Sequence, residues 1–182
     1  MLESVGMQEA KKMSSFRDSI KSGMSEYLGE LKEKLEGLTE AELYWQASLD
    51  TNTIIWLVWH MARVEDNWIN GVIAGGDSVW DSGGWTAKTG ITSEGNGYSN
   101  TLDEVRSLPE VAVSDLLAYY DFVRDSAFTV IDGMSDDDVS NEFPRGGRTF
   151  TLGWILGHVI VEESQHLGQV ALIRGIIRGL KG

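Results

Sequence analysis

Cysteine is absent from all 182 residues. That excludes a disulfide framework, a thiolate metal ligand and a cysteine nucleophile supplied by the chain itself. Long apolar runs are missing too. Those present are short and broken by charge, so no transmembrane helix is expected. The opening stretch MLESVGMQEAKKMSSF has no apolar core of the kind a secretory signal needs, and a cytoplasmic protein is expected. Basic charge is scarce: 15 Lys and Arg stand against 28 Asp and Glu, a formal charge of −13. This balance argues against a nucleic-acid backbone or an anionic membrane as partner, and it suits solubility. No long strand-like alternation, internal repeat, Walker loop or nucleophile-elbow serine is present.

What is present is helical periodicity. With 42% hydrophobic residues the chain is not disordered, and its length suits a single domain over 1–182. Residues 8–36 place Met13, Phe16, Ile20, Met24, Tyr27, Leu28, Leu31 and Leu35 at steps of three and four. Thr39 and Glu42 form a capping box for a short turn. A second helix is expected over 52–73, with a stripe of Leu57, Met61, Val64, Trp68 and Val72. A third is expected over 109–134, with Pro109 in its first turn and a stripe of Leu116, Tyr120, Val123, Ala127 and Ile131. A fourth is expected over 152–180, where Arg174, Arg178 and Lys181 suit the negative end of the helix dipole. RGGRTF, residues 145–150, reads as a turn or a short extended piece. The expected architecture is an all-α four-helix bundle.

Residues 75–100, GGDSVWDSGGWTAKTGITSEGNGYSN, break the pattern. Such a long glycine-rich connection is usually functional or disordered. Trp80, Trp85 and Tyr98 argue for docking rather than disorder. Two readings stand: a surface crossover pinned by aromatics, or a pocket wall. The second places Trp80 or Trp85 at a pocket mouth above His60, and makes residues 76–97 removable without unfolding the bundle.

The fourth helix carries the chemistry. On a helical wheel Glu162 and His166 fall in the same sector as Ile155, Val159, Ile173 and Ile177. An ionised carboxylate there is costly unless it is paired or bound to a cation. At i and i+4 the two side chains can reach one ion. Only His60, His158 and His166 are available as histidines. His60 lies at the core edge of the second helix, and His158 sits one turn before Glu162. His60, Glu162 and His166 would supply three N/O ligands and leave a fourth position open, the form of a catalytic zinc site. The pattern alone also admits a plain hydrogen-bonded Glu–His pair and a packed core His60. The Glu163–His166 spacing matches half of a di-iron motif, but the second helix has no matching set.

At WLVWHMARVEDNW and HVIVEESQHLGQV the sequence resembles the DinB/YfiT-like superfamily of four-helix-bundle metalloenzymes. The resemblance covers nearly the whole chain. His60 takes the place of the family's first ligand, and the second stretch is similar to its His-x-x-x-His-x-Gly-Gln ending. Glu162 stands where most members have histidine, as in the branch containing mycothiol-dependent maleylpyruvate isomerase. The resemblance implies a metal triad of His60, Glu162 and His166, with His158 as a near-site residue able to contact a bound cofactor. It implies a divalent metal, zinc or nickel first and manganese or iron next, with a low-molecular-weight thiol as partner to a small-molecule substrate. It also implies a homodimer.

Three functions follow as alternatives: a thiol S-transferase or isomerase, a metal-dependent hydrolase with Glu65 or Glu163 as base or merely facing solvent, and a non-catalytic bundle with a structural metal or ion pair.

Overall fold

The computed structural model describes residues 15–92 and 94–179. Met13, Leu180 and Lys181 from the expected stripes and termini lie outside them. Four long helices form the body: α1 (Phe16–Leu35), α3 (Ile54–Glu65, continued by π-helical turns over Asp66–Ile73), α7 (Val113–Asp132) and α8 (Leu152–Arg178). Short helices α2 (Glu40–Leu43), α4 (Val79–Ser82), α5 (Trp85–Thr89) and α6 (Leu102–Arg106) lie in the connections. A hairpin of β1 (Glu142–Arg145) and β2 (Arg148–Thr151) precedes α8. Among the described residues no helix is long and apolar enough to cross a membrane.

Cross-helix contacts give the directions. Gly23 faces Ile160 while Arg174 binds the carbonyl oxygens of Lys34 and Glu36, so α1 and α8 run parallel. Lys21 pairs with Asp132 and Lys32 with Asp121, so α7 opposes α1. Tyr119 meets Asp66 and Ser126 meets Asn70, so α3 runs with α7. Trp68 touches His158 while His60 touches His166, so α3 opposes α8. Because α3 and α7 are parallel and consecutive among the long helices, the chain must return along the bundle between them. A helix of α7's length spans about 30 Å. The glycine-rich segment makes that return, which is why it is long.

The capping boxes form as the sequence implies. Thr39 and Glu42 satisfy each other's backbone donors, and Thr101 with Glu104 repeats the device at α6. The expected turn at 145–150 is a two-residue hairpin, with Gly146 at φ +57° and Gly147 at φ +75°. Positive φ at both positions is what a type I′ turn requires. Pro109 does not open a helix. Its carbonyl oxygen accepts from Tyr44 Oη at 2.9 Å, and Val111 N donates to the same Oη at 2.8 Å. These tertiary bonds hold the segment extended until Ala112, and α7 starts at Val113. Arg178 sits in the last turn of α8 as expected, and with Arg174 it also reaches the C-terminal end of α1: Arg174 binds the Lys34 and Glu36 carbonyl oxygens, and Arg178 donates to the Gly37 carbonyl oxygen and pairs with Glu42 at 2.7 Å.

α3 departs most from its expected stripe. Every residue from Ile54 to Glu65 is buried. A helix apolar on nearly all sides must be covered on all sides. The return segment supplies the outer cover, with Trp80, Trp85, Ile91 and Val105 in the core.

Candidate metal centre

α3 and α8 share a seam, and three side chains converge on it. His60 comes from α3; Glu162 and His166 come from successive turns of α8. Nε2 of His60 and Nε2 of His166 each lie 3.3 Å from the same Oε1 of Glu162. One ligand atom from each residue lies within 4.8 Å of the others. The two imidazoles meet edge to face.

The far nitrogen of each ring is already committed. Nδ1 of His60 donates to the backbone carbonyl oxygen of Asn96. A carbonyl only accepts, so the proton sits on Nδ1 and the neutral ring keeps a lone pair on Nε2. Nδ1 of His166 donates to Oε1 of Gln169 at 3.0 Å, which fixes the same tautomer. Two lone pairs therefore face one carboxylate oxygen, an arrangement that repels unless a proton or cation lies among them. Two imidazole nitrogens and one carboxylate oxygen suit a divalent cation with an open fourth position. The oxygen acceptors behind both rings are the partners that metal-bound histidines use. With a proton on Nε2, His166 and then His60 donate to the Glu162 carboxyl, which holds it far below the usual carboxylate range. Burial favours neutral His166, but its bonds to Glu162 and Gln169 raise its pKa above the ordinary value.

A cavity of about 700 Å³ opens beside the triad and is lined by two of its members, His60 and Glu162. His60, Val64 and Trp68 of the second long helix line one side, and Trp154, His158 and Glu162 of α8 line another. Asn96 and Tyr98 from the return segment and Arg145, Arg148 and Phe150 from the hairpin complete it. His158 stacks on Trp154 with ring centroids 4.5 Å apart. It lies in the cavity wall and is not one of the three converging groups. Sequence reasoning did not single out Asn96, whose contribution is a backbone atom. Gln169 left a trace in the quoted HLGQ, one helical turn beyond His166.

Two expectations are corrected here. Trp80 and Trp85 are not at the mouth. Both are buried, packed on Tyr119 of α7 at ring-centroid distances of 4.9 and 5.4 Å. Asp66 draws this part of the segment inward by accepting from the backbone N–H groups of Val79 and Trp80, each at 2.9 Å. The segment's other end, around Asn96, is the part that reaches the cavity. Glu65 and Glu163 are neither solvent-facing nor free to act as base. Arg124 grips both Glu65 oxygens, at 2.9 and 2.8 Å, and Tyr27 adds a third bond. Glu163 is fully buried against Tyr120, and burial pushes its carboxyl well above the usual range.

The mycothiol-S-transferase family profile matches residues 19–179. Among curated proteins, none matches in sequence. A conserved protein from Enterococcus faecalis superposes with TM-score 0.82 at 20% identity, covering 92% of this chain and 99% of that one. YfiT from Bacillus subtilis, described as "a probable metal-dependent hydrolase with an unusual four-helix bundle topology", superposes with TM-score 0.63 at 16% identity, with 95% of each chain covered. These likenesses establish a shared fold, and the profile spans nearly all of the sequence: the chain belongs to the mycothiol-S-transferase family, of the DinB-like type.

Proposed function

We propose that this protein is a metal-dependent thiol S-transferase or isomerase in which His60, Glu162 and His166 hold one divalent cation, zinc or nickel first. The observation that carries it is the pair of Nε2 lone pairs facing one Glu162 oxygen at 3.3 Å beside an open cavity. Family membership supports thiol chemistry. Since the chain has no cysteine, the thiol must be a low-molecular-weight cosubstrate. When bound, the cation would lower the pKa of a coordinated thiol and make a nucleophile available at neutral pH. The chain's own residues do the rest. Glu162 supplies the negative charge that attracts the cation. Asn96 and Gln169 hold the two imidazoles in the ligating tautomer. Trp68, Trp154 and His158 give flat walls that orient a substrate and exclude water.

The likeness to YfiT favours a second reading, hydrolysis of a small substrate at the same centre. Titrating zinc into wild-type protein and Glu162→Gln tests the centre: the variant should stay folded and bind at least about tenfold more weakly. Equal affinity would remove Glu162 from the site. Thiol loss in assays pairing low-molecular-weight thiols with electrophiles, against ester and amide hydrolysis, then separates the two reactions. The family also suggests a homodimer. Exposed Leu172 and Ile176, one turn apart on α8, offer an apolar strip for it, and light scattering that finds only monomer at high concentration would remove that proposal.

A further inference from the structure

The hairpin brings two arginines, Arg145 and Arg148, into the cavity wall. Arg145 and Arg148 are cross-strand partners flanking the Gly146–Gly147 turn. Like charges directly opposite each other destabilise a strand pair. The chain has 28 acidic residues, yet among the described residues no carboxylate forms an ion pair with either arginine. The Arg145 guanidinium lies 4.3 Å over the Trp68 ring, with Nη2 donating to Asn67 Oδ1. That fixes its plane. Nη1 is left buried with no acceptor, and burial without an offsetting charge pulls its pKa below the ordinary value. A buried donor without an acceptor is a cost that a ligand can remove. Arg148 sits 5.1 Å from the Phe150 ring. The same cavity wall carries Phe150, Trp154 and Trp68, three rings in mutual contact.

We propose that Arg145 and Arg148 form a carboxylate-binding clamp, so that this cavity takes an organic acid whose flat apolar body lies on the Trp68–Phe150–Trp154 wall. Arg145, held in place by Trp68 and Asn67 with one donor unused, and the exposed Arg148 beside it would together offer cationic donors to the two oxygens of a carboxylate. The aromatic wall adjoining it suits an organic body, which inorganic phosphate lacks. The clamp stands on the hairpin's own geometry. Only the further step, that the bound acid is a substrate, rests on the metal-dependent reading above.

The test is calorimetric titration of the full chain, metal-free and zinc-loaded, with three probes: trans-cinnamate, its neutral isostere cinnamamide, and inorganic phosphate. Cinnamate is expected to bind metal-free protein about tenfold or more tighter than either of the others. Arg148→Gln is the deciding variant, because Arg148 is exposed and the Trp68 stack does not depend on it. It should weaken cinnamate several-fold without lowering the melting temperature, since it removes a like-charge pair, and with zinc affinity unchanged. Arg145→Lys, which keeps the charge but loses the fork, should weaken it about tenfold. Equal binding of cinnamate and cinnamamide, phosphate binding as tight as cinnamate, or unchanged binding by Arg148→Gln would each overturn the clamp. Failure of zinc to bind would defeat the metal reading alone, since the metal-free titration still reports on the arginines.

Discussion

At His166 a proton and a cation compete for one nitrogen. The hydrogen bonds that the ring donates to Glu162 and Gln169 outweigh burial and raise its pKa. A raised pKa means that the ring stays protonated to higher pH, so a cation must displace that proton. Zinc affinity should therefore fall as pH drops through the neutral range, on the order of tenfold per pH unit for each proton displaced. Calorimetry in buffers of different ionisation enthalpy measures the proton release directly; an affinity flat across that range would argue against His166 as a ligand. Gly97 matters at the same scale. Its φ is +87°, and a Cβ there would meet the Trp59 ring at 2.7 Å and the Trp56 ring at 2.9 Å. Gly97→Ala should destabilise the fold by on the order of 1–3 kcal/mol through backbone strain alone. It should also weaken zinc binding by shifting the neighbouring Asn96 carbonyl off His60, which calorimetry would detect.

The return segment serves α3 before it serves the cavity. Trp80, Trp85 and Ile91 each bury a large side chain against the bundle, and each contributes about 1.5–3 kcal/mol. Their sum is comparable with the whole net stability of a domain, about 5–15 kcal/mol. Arg63 Nε donates to the Gly95 carbonyl oxygen at 2.8 Å, and Trp56 Nε1 to Asn100 Oδ1 at 3.2 Å. These bonds stitch the segment along α3. Deleting residues 76–97 is thus expected to abolish cooperative folding, contrary to the removable wall that the glycine content suggests. A circular-dichroism melt decides this: a sharp transition near the parent's would show that α3 does not need its cover.

Across the whole molecule, one buried polar knot joins three of the long helices. Arg124 of α7 binds Glu65 of α3 and the Met24 carbonyl oxygen of α1, and Tyr27 of α1 also binds Glu65. Removing one partner of a buried pair leaves an uncompensated charge. Arg124→Met should cost about 3–5 kcal/mol in chemical denaturation. The double variant Arg124→Met/Glu65→Met should recover much of that loss, because replacing both partners with apolar groups removes the stranded charge. A double variant as unstable as the single one would show that the knot's contribution is packing around the pair rather than its charge.

The four long helices and the Glu162–His166 pair were legible in the sequence because both rest on spacing along one chain, whereas His60 as their companion was implied by the family resemblance. Apolar steps of three and four mark a helix wherever it packs, and i, i+4 places Glu162 and His166 on one face regardless of partner. Direction and cover were not legible. Nothing local says that α3 runs parallel to α7; that follows from Tyr119 meeting Asp66 and Ser126 meeting Asn70, contacts 53 and 56 residues apart. Periodicity also misplaced the buried carboxylates. Of the neighbouring Glu162 and Glu163 on α8, Glu163 is the fully enclosed one, because α7 offers Tyr120 at that point. Trp80 turned inward because the Asp66 carboxylate accepts two backbone N–H groups beside it. Spacing along a helix determines which side chains share a face; only the packing of distant segments decides what that face meets, because the partner's identity and direction are set by contacts far apart in the chain.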